Sequence, residues 1–186
     1  MERSALYRRA LAPIMLFAGT MGILAAGAGI FFHLDSACKF GGLWVGTAVV
    51  VVIGALLIAR RQALRDHETF WSPPTRRVAQ ALAPPLAAGL ILGLLFLRLD
   101  IFGMLLPFIW AFFYGCALHA AGFFMRRGVR WFGWVYIGLA ACSLVAFLMN
   151  QPNYFNPHWV MGFFFGVLHL VYGAYLYVTE KGKNAA

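Results

Sequence analysis

Six long apolar segments dominate this chain of 186 residues. A helix needs about 20 mostly apolar residues to cross a hydrocarbon core about 30 Å thick, and each segment approaches that length. Only 11% of the residues are charged and 62% are hydrophobic, so polar side chains are too few to cover a water-soluble globule. Because the segments are apolar on all sides, unlike the alternating strands of a membrane barrel, the sequence predicts an all-α polytopic membrane protein with a single integral membrane domain over residues 1–186. The predicted spans cover residues 11–32, 42–59, 78–97, 101–125, 131–149 and 159–178.

The positions of the 15 Lys and Arg residues predict how these spans are oriented. Basic residues concentrate in the loops on the cytoplasmic side of a membrane. Only Lys39 and Arg98 lie in loops of the opposite side. We therefore expect a bundle of six transmembrane helices arranged as three hairpins, with both termini in the cytoplasm. The other basic residues occupy the two tails and two alternate loops: Arg3, Arg8 and Arg9; Arg60, Arg61, Arg65, Arg76 and Arg77; Arg126, Arg127 and Arg130; Lys181 and Lys183.

The net charge of +9 follows from this topology signal and from contacts with anionic lipid headgroups. Because no loop offers an ordered basic surface, nucleic-acid binding is not expected. The sequence Phe-Trp-Ser-Pro-Pro at 70–74 suits an interfacial anchor before the third span, or a docking site for a partner. The residues expected to contact lipid, or a membrane or cytoplasmic partner protein, are Arg60, Arg61, Arg65, Trp71, Arg76, Arg77, Arg126 and Arg127.

Small residues recur at four-residue spacing within several spans. Helices in lipid associate where small residues let their backbones approach closely, so these positions are expected to face neighbouring helices. Pro84, Pro85 and Pro107 lack a backbone donor and are expected to kink the third and fourth spans. The small-residue positions are Gly42 and Gly46; Ala79, Ala83, Ala87, Gly89 and Gly93; Ala111, Gly115 and Gly122; and Gly162, Gly166 and Gly173.

All six acidic residues lie in loops or tails rather than inside a predicted span. Proton relays and many cation pathways use carboxylates inside the membrane, and a hydrolase needs an acid–base pair. The sequence contains no Walker, His-Glu-x-x-His, G-x-S-x-G or dinucleotide-binding motif. It therefore favours a protein without enzymatic activity of its own and argues against an ion-coupled pump.

His119 and His169 are the main candidates for a functional site inside the membrane. Each shares a helix face with the small residues of its span, and at 1.5 Å per residue their depths differ by only about 5 Å. Three interpretations stay open: interhelical hydrogen bonds to Gln80 or a tyrosine, a cavity for a small apolar ligand, and axial ligation of haem b. Besides the two histidines, the candidate site residues are Tyr114, Tyr172 and Gln80.

A second group of polar residues lies on the opposite, outer side of the predicted bundle. His33, Asp35 and Cys38 are close together in one loop, and His158 follows another. These side chains are able to ligate a soft divalent metal if the two loops meet, although solvated residues at a helix end are much more common. The three cysteines have no spacing typical of a disulfide framework or zinc site, so no metal site is assigned.

Several segments in the last two thirds of the chain carry a resemblance to a family. They are Trp-Ser-Pro-Pro-Thr-Arg-Arg at 71–77, Ala-Pro-Pro-Leu-Ala-Ala-Gly at 83–89, Leu-Pro at 106–107 with Trp110, Phe-Tyr-Gly at 113–115, and Met-Gly-Phe-Phe-Phe-Gly-Val-Leu-His at 161–169. Together they resemble an uncharacterised family of small bacterial six-span membrane proteins that often accompany winged-helix transcription regulators. The Leu-His element recurs in that family, which implies that His169 rather than His119 is functional. The resemblance implies no catalytic residue.

These observations lead to a leading functional hypothesis and two alternatives. The leading hypothesis is a non-catalytic sensor or interaction subunit of the bacterial inner membrane. Its basic cytoplasmic loops would meet a partner, and its helix core around His169 would bind a small apolar ligand. The first alternative is a small-molecule transporter or exporter that acts as an oligomer. The second is a haem-binding electron carrier.

Overall fold

The fold is helical throughout the residues that the structure describes. The computed structural model covers residues 5–98, 103–125, 127–150 and 156–184, with side chains for all of these except 5–9, 103 and 180–184. A short 3₁₀ turn at Gly103–Leu105 and a π-helical segment at Gly162–Val167 accompany seven α-helices in these ranges. The helices are α1 (Ala5–Phe31), α2 (Ala37–Arg65), α3 (Pro73–Arg98), α4 (Leu106–Ala121), α5 (Arg127–Asn150), α6 (Pro157–Met161) and α7 (Leu168–Asn184).

Five helical segments of this fold are long and apolar enough to cross a membrane, judged by length and composition. Each overlaps one of the predicted spans, so the prediction of a helical protein with several helices long and apolar enough to cross a membrane is confirmed. The remaining predicted span, 101–125, contains the shorter apolar helix α4 of 16 residues. The five long segments are Ala10–Phe31, Ala37–Arg65, Pro73–Arg98, Arg127–Asn150 and Pro157–Thr179, the last of which combines α6, the π-helical segment and most of α7.

The prolines do not all act as the sequence predicted. Pro107 lies in the first turn of α4, so the expected kink at this residue is wrong. Proline is well tolerated there because the first backbone N–H groups of a helix have no intrahelical partner. Pro84 and Pro85, by contrast, lie inside α3.

Helix α4 is largely buried. Leu106, Ala111, Ala117 and Ala121 have no exposed surface. Helices α3 and α5 pack against α4, and α6 also contacts it. Every residue of α4 except Phe112, which is 38% exposed, is buried or half-buried.

Small residues mark the crossing of α1 with the last helical segment. Gly19 and Gly22 of α1 lie against Leu170, Phe165 and Gly166, so that an added Cβ would meet their backbone atoms. The predicted stripe of the last span faces α1 as expected: Gly162 contacts Ala26, Gly166 contacts Ile23, and Gly173 contacts Leu16. The residue numbers rise along one partner while they fall along the other, so the two segments run antiparallel.

The other glycine pairs differ in what they face. Gly89 and Gly93 of α3 lie against Phe113 and Trp110 of α4, as the close-approach argument predicts. Gly115 and Gly122 of α4 in turn lie against α5, at Tyr136, Ile137 and Arg130. Gly42 and Gly46 of α2 have open space around them, so this predicted stripe meets no neighbour within the described part of the chain.

Two histidines end helices in the left-handed backbone region. His33 follows α1 with φ of 49°, and His67 follows α2 with φ of 54°. After each of them a backbone N–H returns to the helix, from Leu34 to the Gly29 carbonyl and from Glu68 to the Ala63 carbonyl, both at 2.9 Å. This is the Schellman pattern of helix ends, and it ends α1 and α2 sharply.

Candidate functional site

The imidazole of His169 lies at the centre of a buried polar cluster. His169 is only 2% exposed. Its Nε2 atom is 2.7 Å from the Tyr114 hydroxyl of α4, and its Nδ1 atom is 2.9 Å from the Tyr136 hydroxyl of α5. The ring therefore connects the last helical segment to both α4 and α5, which is the interhelical role that the sequence predicted for a tyrosine partner.

A backbone carbonyl from the π-helical segment completes this cluster. The Tyr136 hydroxyl donates a short hydrogen bond to the carbonyl oxygen of Phe164, and Nδ1 of His169 lies 3.3 Å from the same oxygen. A π-helix bonds residue i to residue i+5, and such segments are frequent at functional sites. Here the segment ends one residue before α7 begins, beside His169.

Counting donors assigns the protons of this cluster. The Phe164 carbonyl only accepts, so the single hydroxyl proton of Tyr136 must lie between the two oxygens. Nδ1 of His169 must then carry a proton, which it donates to the Tyr136 oxygen. A charged imidazolium is costly inside an apolar membrane bundle, so the ring is neutral and keeps a lone pair on Nε2. This atom accepts the Tyr114 hydroxyl proton. Every polar group in the chain from Tyr114 to Phe164 is thereby satisfied.

A cavity of about 450 Å³ adjoins this cluster. Volumes of roughly 300–1,000 Å³ are typical of small-molecule sites. The wall is formed by α1, α2, α3, α4 and the last helical segment, and it is overwhelmingly apolar and aromatic. The lining includes Thr47 and Ala48 of α2, Trp110 and Tyr114 of α4, and Met161 and His169 of the last helical segment.

The cavity opens toward the outside of the bundle between α2 and α3. Val49, Val52 and Ile53 of α2 line it and are also exposed, and so is Leu90 of α3. If the bundle lies in a bilayer, these side chains face acyl chains. Met161 also lines the cavity but is only 2% exposed. A ligand would therefore enter sideways and meet the Tyr114–His169 hydrogen bond.

The remaining candidate residues lie apart from this cavity. The ring of His119 packs edge-on against Phe123 and Trp134, at centroid distances of 5.3 and 5.0 Å. Tyr172 is buried and stacks on Phe132 with centroids 4.1 Å apart, one turn beyond His169. Gln80 is exposed on α3 and is not among the residues that line the cavity.

The placement of the two histidines bears on the haem interpretation. The described rings around His169 are those of Tyr114, Tyr136, Phe132 and Phe165, none of which contacts the ring of His119. An iron at Nε2 of His169 would have to displace the Tyr114 hydroxyl. The geometry therefore favours hydrogen bonding over axial ligation for this imidazole.

His158, a residue considered for a metal site, has a structural role. It has no exposed surface. Trp44 donates its indole N–H to Nδ1 at 3.1 Å, and Nε2 donates to the Leu34 carbonyl at 3.2 Å. Both ring nitrogens are thus occupied, and no group of three side chains able to hold a metal exists among the residues that the structure describes.

The predicted contact residues of the basic loops are exposed. Trp71, at the end of the loop between α2 and α3, is 51% exposed. Arg126 lies outside the described residues. The other predicted contacts, all exposed, are Arg60, Arg61, Arg65, Arg76, Arg77 and Arg127. Their contact with lipid or with a partner stays a prediction.

Sequence reasoning missed three contributors to the site. Tyr136 lies in an apolar run, and the only available signal was that a buried tyrosine hydroxyl usually finds a partner. Thr47 was missed because a threonine in an apolar helix commonly bonds its own backbone. The Phe164 carbonyl depends on the π-helical segment, which has no recognisable pattern in the sequence.

Comparison with known proteins adds no assignment. No protein-family model matches the chain, and neither curated proteins nor solved structures show a match to it.

Proposed function

We propose that this chain is a non-catalytic membrane protein that binds a small apolar ligand from the bilayer and acts as a sensor or interaction subunit. In this proposal it crosses a bacterial inner membrane six times as three hairpins, with both termini in the cytoplasm. The ligand occupies the cavity beside Tyr114 and His169. A membrane or cytoplasmic protein, or a second copy of the chain, responds through the basic loops.

The antiparallel packing of the helices supports this orientation. Along α3 and α4, Gly89 pairs with Phe113 and Gly93 with Trp110, so the two helices run in opposite directions. The same reversal occurs between α1 and the last helical segment. Alternating helices bring the two tails, the α2–α3 loop and the α4–α5 loop to one end of the bundle. Those are the segments that carry nearly all the basic residues, as the cytoplasmic side requires.

The cavity carries the ligand proposal. A tightly packed membrane bundle has no need for a void of about 450 Å³. Its wall is apolar, like the acyl chains from which a ligand would come. The buried hydrogen bond between Tyr114 and His169 is the polar feature that would orient the ligand. The tyrosines around His169 belong to α4 and α5, whereas the mouth lies between α2 and α3. A ligand therefore touches helices from both sides of the bundle, as a sensor requires.

The transporter alternative is less well supported by the same cavity. Transport of a polar molecule needs a water-lined route with polar or charged walls. The described lining is apolar, and its mouth faces sideways rather than toward either end of the bundle. The haem alternative would require Nε2 of His169 to exchange its tyrosine partner for iron. Ligand binding requires neither change.

Photolabelling tests the proposed ligand site. The protein is reconstituted in lipid nanodiscs and irradiated with a decane that carries a diazirine, and adducts are mapped by mass spectrometry. We expect an adduct on Met161, because this residue lines the cavity but is only 2% exposed, so annular lipid does not reach it. Ala48 also lines the cavity, and Ala48→Phe should fill it and reduce Met161 labelling severalfold.

Val50→Phe is the matched control for this experiment. Val50 lies on the same helix, is 46% exposed and is not part of the cavity wall. This variant adds a phenyl ring to the lipid-facing surface and should leave Met161 labelling unchanged. Absence of label on Met161 in the unmodified protein, or equal labelling in Ala48→Phe, would contradict the proposed site.

A further inference from the structure

We infer that the cavity selects apolar molecules that carry a hydroxyl group, and that it discriminates against the corresponding ketones and ethers. This inference rests on the proposed function, because it concerns the same cavity. It follows from an account of every side-chain donor and acceptor among the described lining residues. The side chains of the wall offer acceptors to a ligand and no donors.

The two indoles of the wall already donate their N–H groups to partners within the protein. Trp44 donates to Nδ1 of His158 at 3.1 Å. Trp110 donates to the Gly89 carbonyl of α3 at 3.0 Å. Each indole has one donor and no acceptor, so both rings present only aromatic surface to a ligand.

The two hydroxyl groups of the wall also use their protons internally. Thr47 donates to the Leu43 carbonyl one turn earlier in α2, at 2.8 Å. Tyr114 donates to Nε2 of His169, as the proton assignment above requires. A hydroxyl that donates once still has lone pairs with which to accept. The Thr47 and Tyr114 oxygens therefore remain as acceptors at the wall.

The proton on Nδ1 of His169 decides this polarity. With the proton on Nε2 instead, the ring would donate to Tyr114 and release the tyrosine proton for a ligand. That alternative leaves Nδ1 unprotonated against the oxygens of Tyr136 and Phe164, whose shared proton is already committed. The lone pairs would then repel each other in a buried site of low dielectric constant, where the repulsion is strong. The Phe164 carbonyl of the π-helical segment therefore determines that the cavity wall offers hydrogen-bond acceptors and no donors.

The ligand class follows from this polarity. An alcohol or phenol donates its proton to Thr47 or Tyr114 and places its apolar body against Trp110 and Phe113. A ketone or ether brings only acceptors, which must lose their hydration, or a lipid-interface partner, without replacement. The occupant is therefore a membrane-soluble molecule with an apolar skeleton and a hydroxyl donor.

Competition against the Met161 photolabel tests this selectivity. The competitors are n-decanol, its isomer methyl nonyl ether and decan-2-one, each referred to its concentration in the membrane. A net hydrogen bond of about 0.5–1.5 kcal/mol corresponds to a preference of roughly 2- to 10-fold. We expect the alcohol to compete at a concentration lower by that factor, with the ether and the ketone alike. Equal competition by all three overturns the inference but leaves the proposed binding site in place.

Variants of the wall residues identify which atom accepts the proton of the ligand. Thr47→Val removes one acceptor, whereas Tyr114→Phe replaces the tyrosine oxygen with the lone pair on Nε2 of His169. The triple variant Thr47→Val, Tyr114→Phe and His169→Phe should therefore abolish the preference for the alcohol. Thr20→Val is the control, because Thr20 of α1 makes the same backbone bond, to Leu16 at 2.9 Å, but lies outside the cavity wall. A preference that persists in the triple variant overturns the inference. If the ketone competes as well as the alcohol in the unmodified protein, the inference is also overturned. That result does not depend on whether the variants fold.

Discussion

At the scale of single residues, the neutral imidazole of His169 explains how a polar side chain is accommodated deep in an apolar bundle. Both ring nitrogens have tyrosine partners, at 2.7 and 2.9 Å. A buried polar group without a partner costs about 1–3 kcal/mol, whereas a satisfied one is tolerated. The same bonds join α4, α5 and the last helical segment, so the residue that forms the site also holds its walls together.

Removing the Tyr136 hydroxyl should weaken this junction. Tyr136→Phe deprives the Phe164 carbonyl and Nδ1 of His169 of their shared partner, although the two groups, 3.3 Å apart, can still bond each other. Hydrogen bonds inside membrane proteins contribute about 0.6–1.7 kcal/mol, and we expect a loss of about 1–2 kcal/mol in the free energy of unfolding. Unfolding by steric trapping in bicelles measures this change.

Tyr177→Phe provides the comparison for that measurement. Tyr177 of α7 is 56% exposed, and the substitution removes the same hydroxyl from a surface position. Surface substitutions usually change stability by less than about 0.5 kcal/mol. Equal effects of the two variants would contradict the buried network and, with it, the assigned proton on Nδ1.

The sequence predicted part of this site for sound reasons. His169 and Tyr114 stood out because polar groups inside an apolar span need partners. Gln80 met the same criterion but is exposed on α3, since a helix that is apolar on nearly every side gives no signal for which face turns inward. Tyr136 was overlooked for the same reason, and Phe164 because its backbone carbonyl, rather than its side chain, takes part.

At the scale of helices, backbone contact between α1 and the last helical segment determines how closely the site's elements approach. Gly22 meets the backbone of Phe165 and Gly166, immediately beside the carbonyl of Phe164. Dispersion contacts at such crossings take over the role that the hydrophobic effect has in water. The crossing therefore holds the π-helical segment, and the carbonyl that it presents, against the rest of the bundle.

A methyl group at this crossing should be costly. In Gly22→Ala the new Cβ would overlap the Phe165 backbone, which cannot move aside as a flexible side chain can. Overpacking of this kind costs about 1–3 kcal/mol. Gly27→Ala is the matched control, because Gly27 of the same helix has open space around it. Thermal unfolding in detergent should show a lower midpoint for Gly22→Ala alone, and similar midpoints would refute the close crossing.

Prediction of the helices succeeded where amino-acid composition is sufficient. It failed where the position of a helix start, or the face that a helix turns to its neighbour, had to be known. Long apolar runs identified the helices, because length and hydrophobicity suffice for that. Pro107 was predicted to kink a helix that it in fact begins, since the start of α4 is not marked by any change in polarity. The stripes at Gly42 and at Gly162 have the same spacing, yet only the second meets a neighbour, because spacing does not specify which helices become adjacent.

At the scale of the whole molecule, the order of the helices in space is not the order in the sequence. Helix α1 packs against α2 and against the last helical segment, while α4 lies between α3 and α5. The cavity forms where these two groups of helices meet and α2 and α3 diverge. Pattern and charge predicted a helical bundle with several long apolar helices, but the void depends on side-chain fit at several crossings, which no single segment encodes.

The proposed orientation of the bundle can be tested with a thiol that the chain already has. Cys38 is exposed at the start of α2, at the end opposite the basic loops, and should react with a membrane-impermeant maleimide in intact cells. A second variant combines Cys38→Ser with Glu68→Cys. Among the described residues its only thiol outside the apolar helices lies in the basic α2–α3 loop, where Glu68 is exposed. Labelling of this variant should require permeabilised cells. Cys116 and Cys142 lie within the apolar helices α4 and α5 and serve as the unreactive background, checked with Cys38→Ser alone. If the thiols at positions 38 and 68 were labelled from the same side, α2 would not span the membrane. Because α2 forms the mouth of the cavity, that result would also refute the entry of a ligand from the bilayer.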